Sequence, residues 1–343
     1  MKLSVISVVI PAHNAASTLG ECLQAVHQSD YGDYEVIVVD DASTDETREV
    51  ALRHGCRVVR VEQNIGAAQA KNLGAREATG EVVLFTDADI LLQPETLRLV
   101  AEHLRDPGIA GVVGMLSQRL RYDNFCSQFK NLWMHYTYAR LAGSSDAERG
   151  VGLFYTSIAA IRKHVFEQMD GFDRSYCGAS VTEDIEFGQR LFTAGHKVRL
   201  DGKLQVQHLK YYSLGGLLRT DLQRAFGLMK TWLRKRLDPH QRATGQRYYA
   251  SVPWYFVMSV PLVWLLPVLL IVALLTENSV WLLLALLDNA AVLLLNAPFL
   301  NALYQARGWT FLLRSCLFLP VDLWVSGLGV LQAVVDYARG NRY

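Results

Sequence analysis

The chain has 343 residues, of which 51% are hydrophobic, and its formal net charge is +1 at pH 7. This length exceeds one ordinary core and indicates a domain of about 200–250 residues plus a further part. Because no basic field is present, nucleic acid is not expected as a partner. Five scattered cysteines without CxxC spacing argue against a disulfide framework or a zinc site and favour a reducing, cytosolic compartment. The first apolar run is short, ends at Pro11 and does not have the pattern of a signal peptide.

Short β-rich runs alternate with helical patterns in the first part of the chain. Strands are predicted at 3–10, 35–39, 57–61, 81–86 and 109–114, and helices at 17–28, 45–54, 67–78 and 95–105. This alternation predicts parallel βαβ units that are buried on both faces. Residues 120–150 show no clear period. A second α/β stretch follows, with strands at 152–161 and 203–207 and helices after Arg162 and at 183–194.

Three acidic pairs lie at the ends of predicted strands or at the start of a predicted helix. They are Asp40 and Asp41, Asp87 and Asp89, and Glu183 and Asp184. Open α/β sheets bind ligands in the crevice outside the carboxyl ends of their strands. Carboxylates gathered there suit a divalent cation and an anionic, hydroxyl-rich ligand.

Asp87 and Asp89 are predicted to share one cation. On an extended strand end, residues i and i+2 point to the same side, and Mg²⁺ or Mn²⁺ prefers such oxygen ligands. A surface turn is the alternative reading of Asp-x-Asp. Lys71 lies in a helix of small residues, where a cation would face an anionic ligand. Close packing of that helix is the alternative there.

These motifs, taken in order, resemble those of family 2 glycosyltransferases, which are inverting, nucleotide-sugar-dependent enzymes with the GT-A fold. The resemblance spans about residues 3–210 and rests on six segments: Ile10 to Asn14, Val39 to Asp45, Asn64 to Asn72, Asp87 to Asp89, Gly171 to Asp173, and Glu183-Asp184. It implies an α/β fold with a mostly parallel, Rossmann-like sheet and flanking helices, followed by a helical transmembrane region.

The resemblance also implies a set of site residues. The nucleotide would be bound by Pro11, Asn14, Asp40, Asp41, Ser43, Lys71 and Asp87, and Mg²⁺ or Mn²⁺ by Asp87, Asp89, Gln93 and His208. Asp184 would be the general base, and Glu183 would orient the acceptor or the pyrophosphate. The alternatives are a capped turn at residues 40–46, acids that only stabilise a helix N-terminus at 183–184, and a structural histidine at 208.

A Gln-x-x-Arg-Trp motif, typical of processive relatives, is absent after the base, since the nearest segment is Gln223-Arg224-Ala225-Phe226. Transfer of a single sugar is therefore expected, and not synthesis of a long polymer.

The C-terminal part is apolar enough to enter a membrane. Residues 252–275 contain no charged side chain and are long enough to span a bilayer. Residues 279–304 and 310–335 form two further apolar runs, the last of which is a full span, a re-entrant segment or a helix broken at Pro320. The loop at 276–278 lacks Lys and Arg and is expected outside, which leaves the catalytic domain facing the cytoplasm.

A basic amphipathic helix is predicted before the first span. Its apolar stripe consists of Leu218, Leu222, Phe226, Met229 and Leu233. Such a helix lies in a membrane interface or packs onto the catalytic domain, and both readings stay open.

The sequence thus predicts a catalytic domain at 1–212, an interfacial helix and linker at 213–250, and two or three membrane segments at 251–343. The predicted protein is a multi-pass cell-membrane glycosyltransferase that uses a nucleotide-sugar donor and a lipid or lipid-linked acceptor. The alternative is an inactive family member that serves membrane assembly or transport. A sugar-1-phosphate nucleotidyltransferase is less favoured, because its glycine- and arginine-rich N-terminal loop is absent.

Overall fold

The computed structural model describes residues 5–144, 152–176, 182–237 and 252–341. The start of the first predicted strand and residues 238–250 of the predicted linker lie outside them. The chain forms two compact units. The first contains residues up to 122 and residues 138–210, and the second contains residues 123–137 and those from 211 onward.

The first unit is built on one eight-stranded sheet. Its strands are β1 (Ile6–Ala12), β2 (Tyr34–Asp41), β3 (Arg57–Val61), β4 (Val82–Phe85), β5 (Ile90–Leu91), β6 (Gly111–Leu116), β7 (Ala159–Arg162) and β8 (Val198–His208). Their spatial order is β3-β2-β1-β4-β7-β6-β8-β5. Strands β1 to β4 are parallel, as are β6 and β8, whereas β7 is antiparallel to β4 and β6, and β5 is antiparallel to β8. The predicted fold class is confirmed.

The strand order creates a binding crevice between β1 and β4. The chain moves from β1 to β2 and β3 on one side and then returns to β4 on the other side of β1. The crevice of an open α/β sheet lies at such a reversal, at the carboxyl ends of the strands. Val8, Val9 and Val38 are completely buried, as expected for strands that are covered on both faces.

Seven helices among the described residues belong wholly or partly to the first unit. They are α1 (Ala16–His27), α2 (Thr47–Arg53), α3 (Ala67–Glu77), α4 (Thr96–His103), α5 (Phe125–Ala142), α6 (Lys163–Gln168) and α7 (Glu183–Thr193). Helix α5 begins in the second unit and ends in the first. It lies within residues 120–150, where the sequence shows no clear period. Its buried side chains include the consecutive Leu132, Trp133 and Met134, so no single apolar stripe marks it as a helix.

The strand predicted at 152–161 is wrong over most of its length, since β7 begins only at Ala159. The aromatic and branched residues before it are buried without forming a ladder. Phe154 is fully buried and packs edge-on against Phe85 and Phe187, with ring centroids 6.1 and 5.0 Å away. Burial, and not strand pairing, explains this β-type composition.

The second unit consists mainly of five helices: α8 (Leu214–Leu237), α9 (Trp254–Thr276), α10 (Ser279–Leu295), α11 (Ala297–Arg307) and α12 (Trp309–Ala338). By length and composition, α9 and α12 could each cross a membrane, and α10 with α11 would make a third span if this pair, bent by 65°, is counted as one. Of the readings left open for the third apolar run, a break at Pro320 is not observed, because α12 continues through it. The bend lies at Asn296 instead.

Helix α8 packs along α12. The predicted apolar stripe of α8 is only half-buried, whereas Asp221, Lys230 and Lys235 are buried. Lys230 Nζ donates to Asp336 Oδ2 of α12 over 2.6 Å. Polar contacts therefore join α8 to α12.

Candidate active site

The ends of β1 and β2 are bonded to each other. The backbone amide of Asn14 donates to Ser43 Oγ over 3.0 Å, and the Asn14 side-chain oxygen accepts from the Thr44 amide over 2.8 Å. Asn14 and Ala42 have positive φ values of 50° and 56°, which non-glycine residues rarely adopt. These contacts fix the wall of the crevice that begins at Pro11.

Among the described residues, Asp40 has a buried oxygen that lacks a hydrogen-bond donor. Its side chain is fully buried, and Oδ1 accepts from the Ser43 amide over 3.0 Å. Arg60 Nε lies 3.7 Å from Oδ2, outside hydrogen-bonding distance. Within the described parts of the chain, Oδ2 accepts no hydrogen bond. A buried acceptor without a donor is costly, which fits a nucleotide N–H or O–H at this position.

Asp41 is occupied by the backbone of the loop before α3. Its two oxygens accept from the amides of Ile65 and Gly66 over 2.7 and 2.9 Å. Gly66 has a φ of 81° and precedes the first residue of α3, so a side chain there would be strained. Asp41 thus holds the start of α3.

Lys71 connects α3 to the acids of α7. It is buried, and Nζ donates to Thr156 Oγ1 over 2.6 Å and to Glu183 Oε1 over 3.0 Å. Burial favours the neutral amine, but the charges of Glu183, Asp87 and Asp184 outweigh it and raise the pKa of Lys71. Lys71 is therefore a permanent cation among the site carboxylates.

Asp87 and Asp89 follow β4, and each has one oxygen engaged. Ser157 Oγ donates to Asp87 Oδ2 over 2.7 Å, and His208 Nε2 lies 3.2 Å from Asp89 Oδ2. The pairing of β5 with β8 places Ile90 opposite His208 and brings these side chains together. Burial opposes ionisation of Asp89, but the hydrogen bond and charge of His208 and the charge of Lys210 lower its pKa.

The donor set fits a hard divalent cation. Within the described parts of the chain, no three His, Cys, Asp or Glu side chains are grouped closely enough to hold a metal alone. Mg²⁺, however, is commonly bound through one or two carboxylates together with substrate phosphates, and Asp87 and Asp89 supply two. Gln93 donates its backbone amide to Thr96 Oγ1 over 3.0 Å at the start of α4. That bond involves only the main chain and does not test the Gln93 side chain. Its role as a metal ligand therefore stays a prediction.

Glu183 and Asp184 are the first two residues of α7. Glu183 is buried, and within the described parts of the chain its Oε2 has no hydrogen-bond partner although Oε1 is bonded to Lys71. Asp184 is half-buried and accepts from the Ile185 amide over 2.7 Å. Both acids therefore lie at the helix N-terminus, where the partial charge of the helix is positive.

Comparison with known proteins identifies the domain that carries this site. Residues 7–169 match the model of Glycosyl transferase family 2. This part of the chain is a glycosyltransferase family 2 domain. The chain is 30% identical over 137 residues to Glycosyltransferase GlyG of Streptococcus pneumoniae. This alignment covers 38% of this chain and 44% of that protein. It is 22% identical over 270 residues to a Poly-beta-1,6-N-acetyl-D-glucosamine synthase of Staphylococcus epidermidis, covering 74% of this chain and 63% of that one.

A solved structure shares the fold. The mannosyltransferase PcManGT from Pyrobaculum calidifontis, in complex with GDP-Man and Mn²⁺, superposes with a TM-score of 0.60 at 20% identity, over 98% of this chain and 88% of that one. The chain therefore combines a GT-A-like glycosyltransferase domain with C-terminal helices.

The structure adds residues to the family 2 site that the sequence motifs did not reveal. Thr156 and Ser157 contact Lys71 and Asp87, but they lie in the segment that was predicted as a strand. Arg60, beside Asp40, lies on the neighbouring strand β3. Only the sheet register reveals that neighbourhood. Phe172, from the Gly171-Phe172-Asp173 motif, is fully buried among Phe85, Phe166 and Phe187 and anchors the fold.

Proposed function

We propose that the protein is a membrane-bound, metal-dependent, inverting glycosyltransferase that moves one sugar from a nucleotide sugar to a lipid or lipid-linked acceptor. The observation that carries this proposal is the convergence of three acidic groups around the crevice of the sheet. Lys71 lies bonded to Glu183 and close to the charges of Asp87 and Asp184. This arrangement supports a cation site and a base that lie close together around Lys71.

Donor binding is assigned to the ends of β1, β2 and β4. Asp40 has a buried oxygen that can accept from the nucleoside, while Pro11, Asn14 and Ser43 line the facing side. Asp87 and Asp89, with His208 beside them, would hold a divalent cation. Such a cation, when bound, would offset the negative charge that develops on the departing diphosphate.

Proton transfer is assigned to Asp184. A hydroxyl acceptor must lose its proton as its oxygen attacks the anomeric carbon and the bond to the diphosphate breaks. Asp184 at the N-terminus of α7 is suited to take that proton, because the helix end favours its carboxylate form. Attack from the face opposite the leaving group gives inversion. Glu183, held by Lys71, would orient the acceptor or the pyrophosphate.

The membrane-bound character is supported by the second unit. Helices α9 and α12 are long and apolar enough to cross a bilayer. The loop after α9, at Glu277 and Asn278, lacks Lys and Arg, which favours its location outside and a cytoplasmic catalytic domain. A transferase held at a membrane reaches a lipid acceptor without extracting it.

The decisive experiment uses the purified full chain in detergent. UDP-, GDP- and dTDP-sugars are screened with Mn²⁺ for sugar release and for transfer to lipid acceptors. The assay with the active donor is then repeated with EDTA. We expect Mn²⁺-dependent transfer with inverted anomeric configuration. The absence of both donor binding and turnover would favour the non-catalytic membrane partner instead.

Product length tests the single-sugar assignment. The relative named as a polymer synthase favours a processive alternative, whereas the missing Gln-x-x-Arg-Trp motif favours one transfer. Mass spectra of the product are expected to show one added sugar. A ladder of increasing length would replace single transfer by polymer synthesis.

A further inference from the structure

The second unit contains a cavity of about 430 Å³ between α5, α8, α9 and α12. Its wall is mainly apolar and includes Leu228, Met229, Phe256 and Val330. This volume is in the range of pockets that hold small molecules, which combine apolar walls with a few polar groups. The cavity is lined by helices that we assign to the membrane and its interface.

Three polar side chains on this wall have atoms without partners. Trp133 is 8% exposed and Asp322 is 6% exposed. Among the described residues, neither Trp133 Nε1, Arg224 Nε nor Asp322 Oδ1 makes a hydrogen bond. Each such buried group costs free energy unless a ligand or water satisfies it. Two of the three atoms are donors, so the missing partner is mainly an acceptor.

Arg224 is the cation of the cavity wall. Among the described residues, its Nη1 bonds to the weak acceptor Met134 Sδ, over 3.0 Å, and its guanidinium carbon lies 5.1 Å from the centre of the Trp133 ring. Lys130 and Lys230 nearby are each paired with an aspartate. No carboxylate of the described residues forms an ion pair with Arg224. Arginine binds phosphate through a planar set of donors.

Two carboxylates of the cavity wall, Asp221 and Asp322, share one nearby cation, Lys130. Asp221 is bonded to Lys130, and Asp322 lies beside both of them. Among the described residues, Arg224 is a cation of this wall that forms no ion pair, and it stands next to an apolar space.

We propose that this cavity binds a single-chain lipid phosphate, with the hydrocarbon chain against the apolar wall and a phosphate oxygen at Arg224 Nε and Trp133 Nε1. A cavity of about 430 Å³ holds the part of one hydrocarbon chain next to the phosphate, and the rest of a long chain would extend beyond it. The choice of an acceptor-type lipid rests on the proposed function, whereas binding itself requires no sugar donor.

The test is native mass spectrometry of the full chain in detergent, with undecaprenyl phosphate as the probe and undecaprenol as its neutral match. We expect the phosphate to bind at least tenfold more tightly than the alcohol. Arg224→Gln should remove this preference and weaken binding of the phosphate on the order of tenfold, since a charge-assisted hydrogen bond is lost. Arg219 is an exposed arginine of the same helix, and Arg219→Gln is the matched control. It should leave both the preference and the affinity for the phosphate unchanged.

A second pair of variants probes the space itself. Val330→Trp fills the cavity and should weaken binding of both lipids, whereas Val334→Trp, one turn further along α12 and 42% exposed, should not. The assignment would be overturned if Val330→Trp and Val334→Trp weakened lipid binding equally. It would also be overturned if Arg224→Gln and Arg219→Gln did. Equally tight binding of phosphatidylglycerol would also overturn it, by showing a general phospholipid site.

Transfer assays separate this inference from the proposed function. Lipid binding by a protein that transfers no sugar would leave the cavity assignment standing and contradict the function alone. Sugar transfer that is unaffected by Arg224→Gln and Val330→Trp, together with unchanged lipid binding, would overturn the cavity assignment alone.

Discussion

Lys71 shows how a single buried side chain stabilises the site. It donates to Glu183 Oε1 and Thr156 Oγ1, and Glu183 is itself buried. Lys71→Met would leave the Glu183 carboxylate without its counter-charge, which typically costs about 3–5 kcal/mol. We expect a clearly lower unfolding temperature in thermal denaturation of the purified protein.

The double variant Lys71→Met with Glu183→Gln is the control, because it removes both charges. It should recover part of the lost stability. If the single variant unfolded at the temperature of the unmodified protein, Lys71 would not be the buried counter-charge described here.

Asp184→Asn tests the chemical step. General-base assistance is worth about 10²–10⁴-fold, so transfer to a hydroxyl acceptor should fall by that factor while donor affinity is retained. A lipid phosphate is already ionised and needs less assistance, so transfer to it should fall far less. Turnover with both acceptor types, together with nucleotide-sugar affinity, provides the measurement. Near-normal transfer to the hydroxyl acceptor by the folded variant would exclude the base role.

Asp89→Ala tests the cation site. Loss of one of two carboxylates should abolish the Mn²⁺-dependent part of nucleotide-sugar affinity, which calorimetry with and without EDTA measures. Asp33→Ala, at an exposed aspartate of the same unit, is the matched control and should bind as the unmodified protein does. Metal dependence that persists in Asp89→Ala would move the cation away from these residues.

At the scale of elements, two adjacent acids at the end of β2 are expected to behave differently. Asp41 accepts two backbone amides at the start of α3, whereas Asp40 Oδ2 has no hydrogen-bond donor among the described residues. Asp41→Asn should therefore lower stability by about 1–3 kcal/mol, since one amide loses its acceptor. Asp40→Asn should mainly weaken nucleotide binding. Thermal unfolding and nucleotide titration of both variants separate the effects, and identical behaviour would contradict the division.

The βαβ elements were predictable because their side chains carry the information locally. Val36 to Val39 form a buried run in β2, as burial on both faces requires. The pairing of Ile90 with His208 was not predictable. It joins residues far apart in the chain, and a two-residue strand such as β5 has no pattern of its own. The sequence therefore indicated the candidate carboxylates but not Ser157 and Arg60, which reach them through tertiary contacts.

At the scale of the whole molecule, composition separated the polar part from the apolar part but did not show where residues 123–137 belong. These residues pack with the second unit. Phe129 meets Phe299 and Phe318 edge-on, with centroids 5.7 and 4.9 Å away, and Arg307 donates to Gln128 over 2.5 Å. Contacts between residues so distant in sequence leave no local signal, so the prediction stayed silent on this stretch.

The membrane topology leads to a prediction for the intact cell. If α9 crosses the bilayer and the catalytic unit faces the cytoplasm, the loop that follows α9 lies outside. In a background without native cysteines, Glu277→Cys should react with a membrane-impermeant maleimide on intact cells. Arg48→Cys, at an exposed position of α2 in the catalytic unit, should react only after permeabilisation. Labelling of Arg48→Cys on intact cells would place the catalytic unit outside, where cytosolic nucleotide sugars cannot reach it.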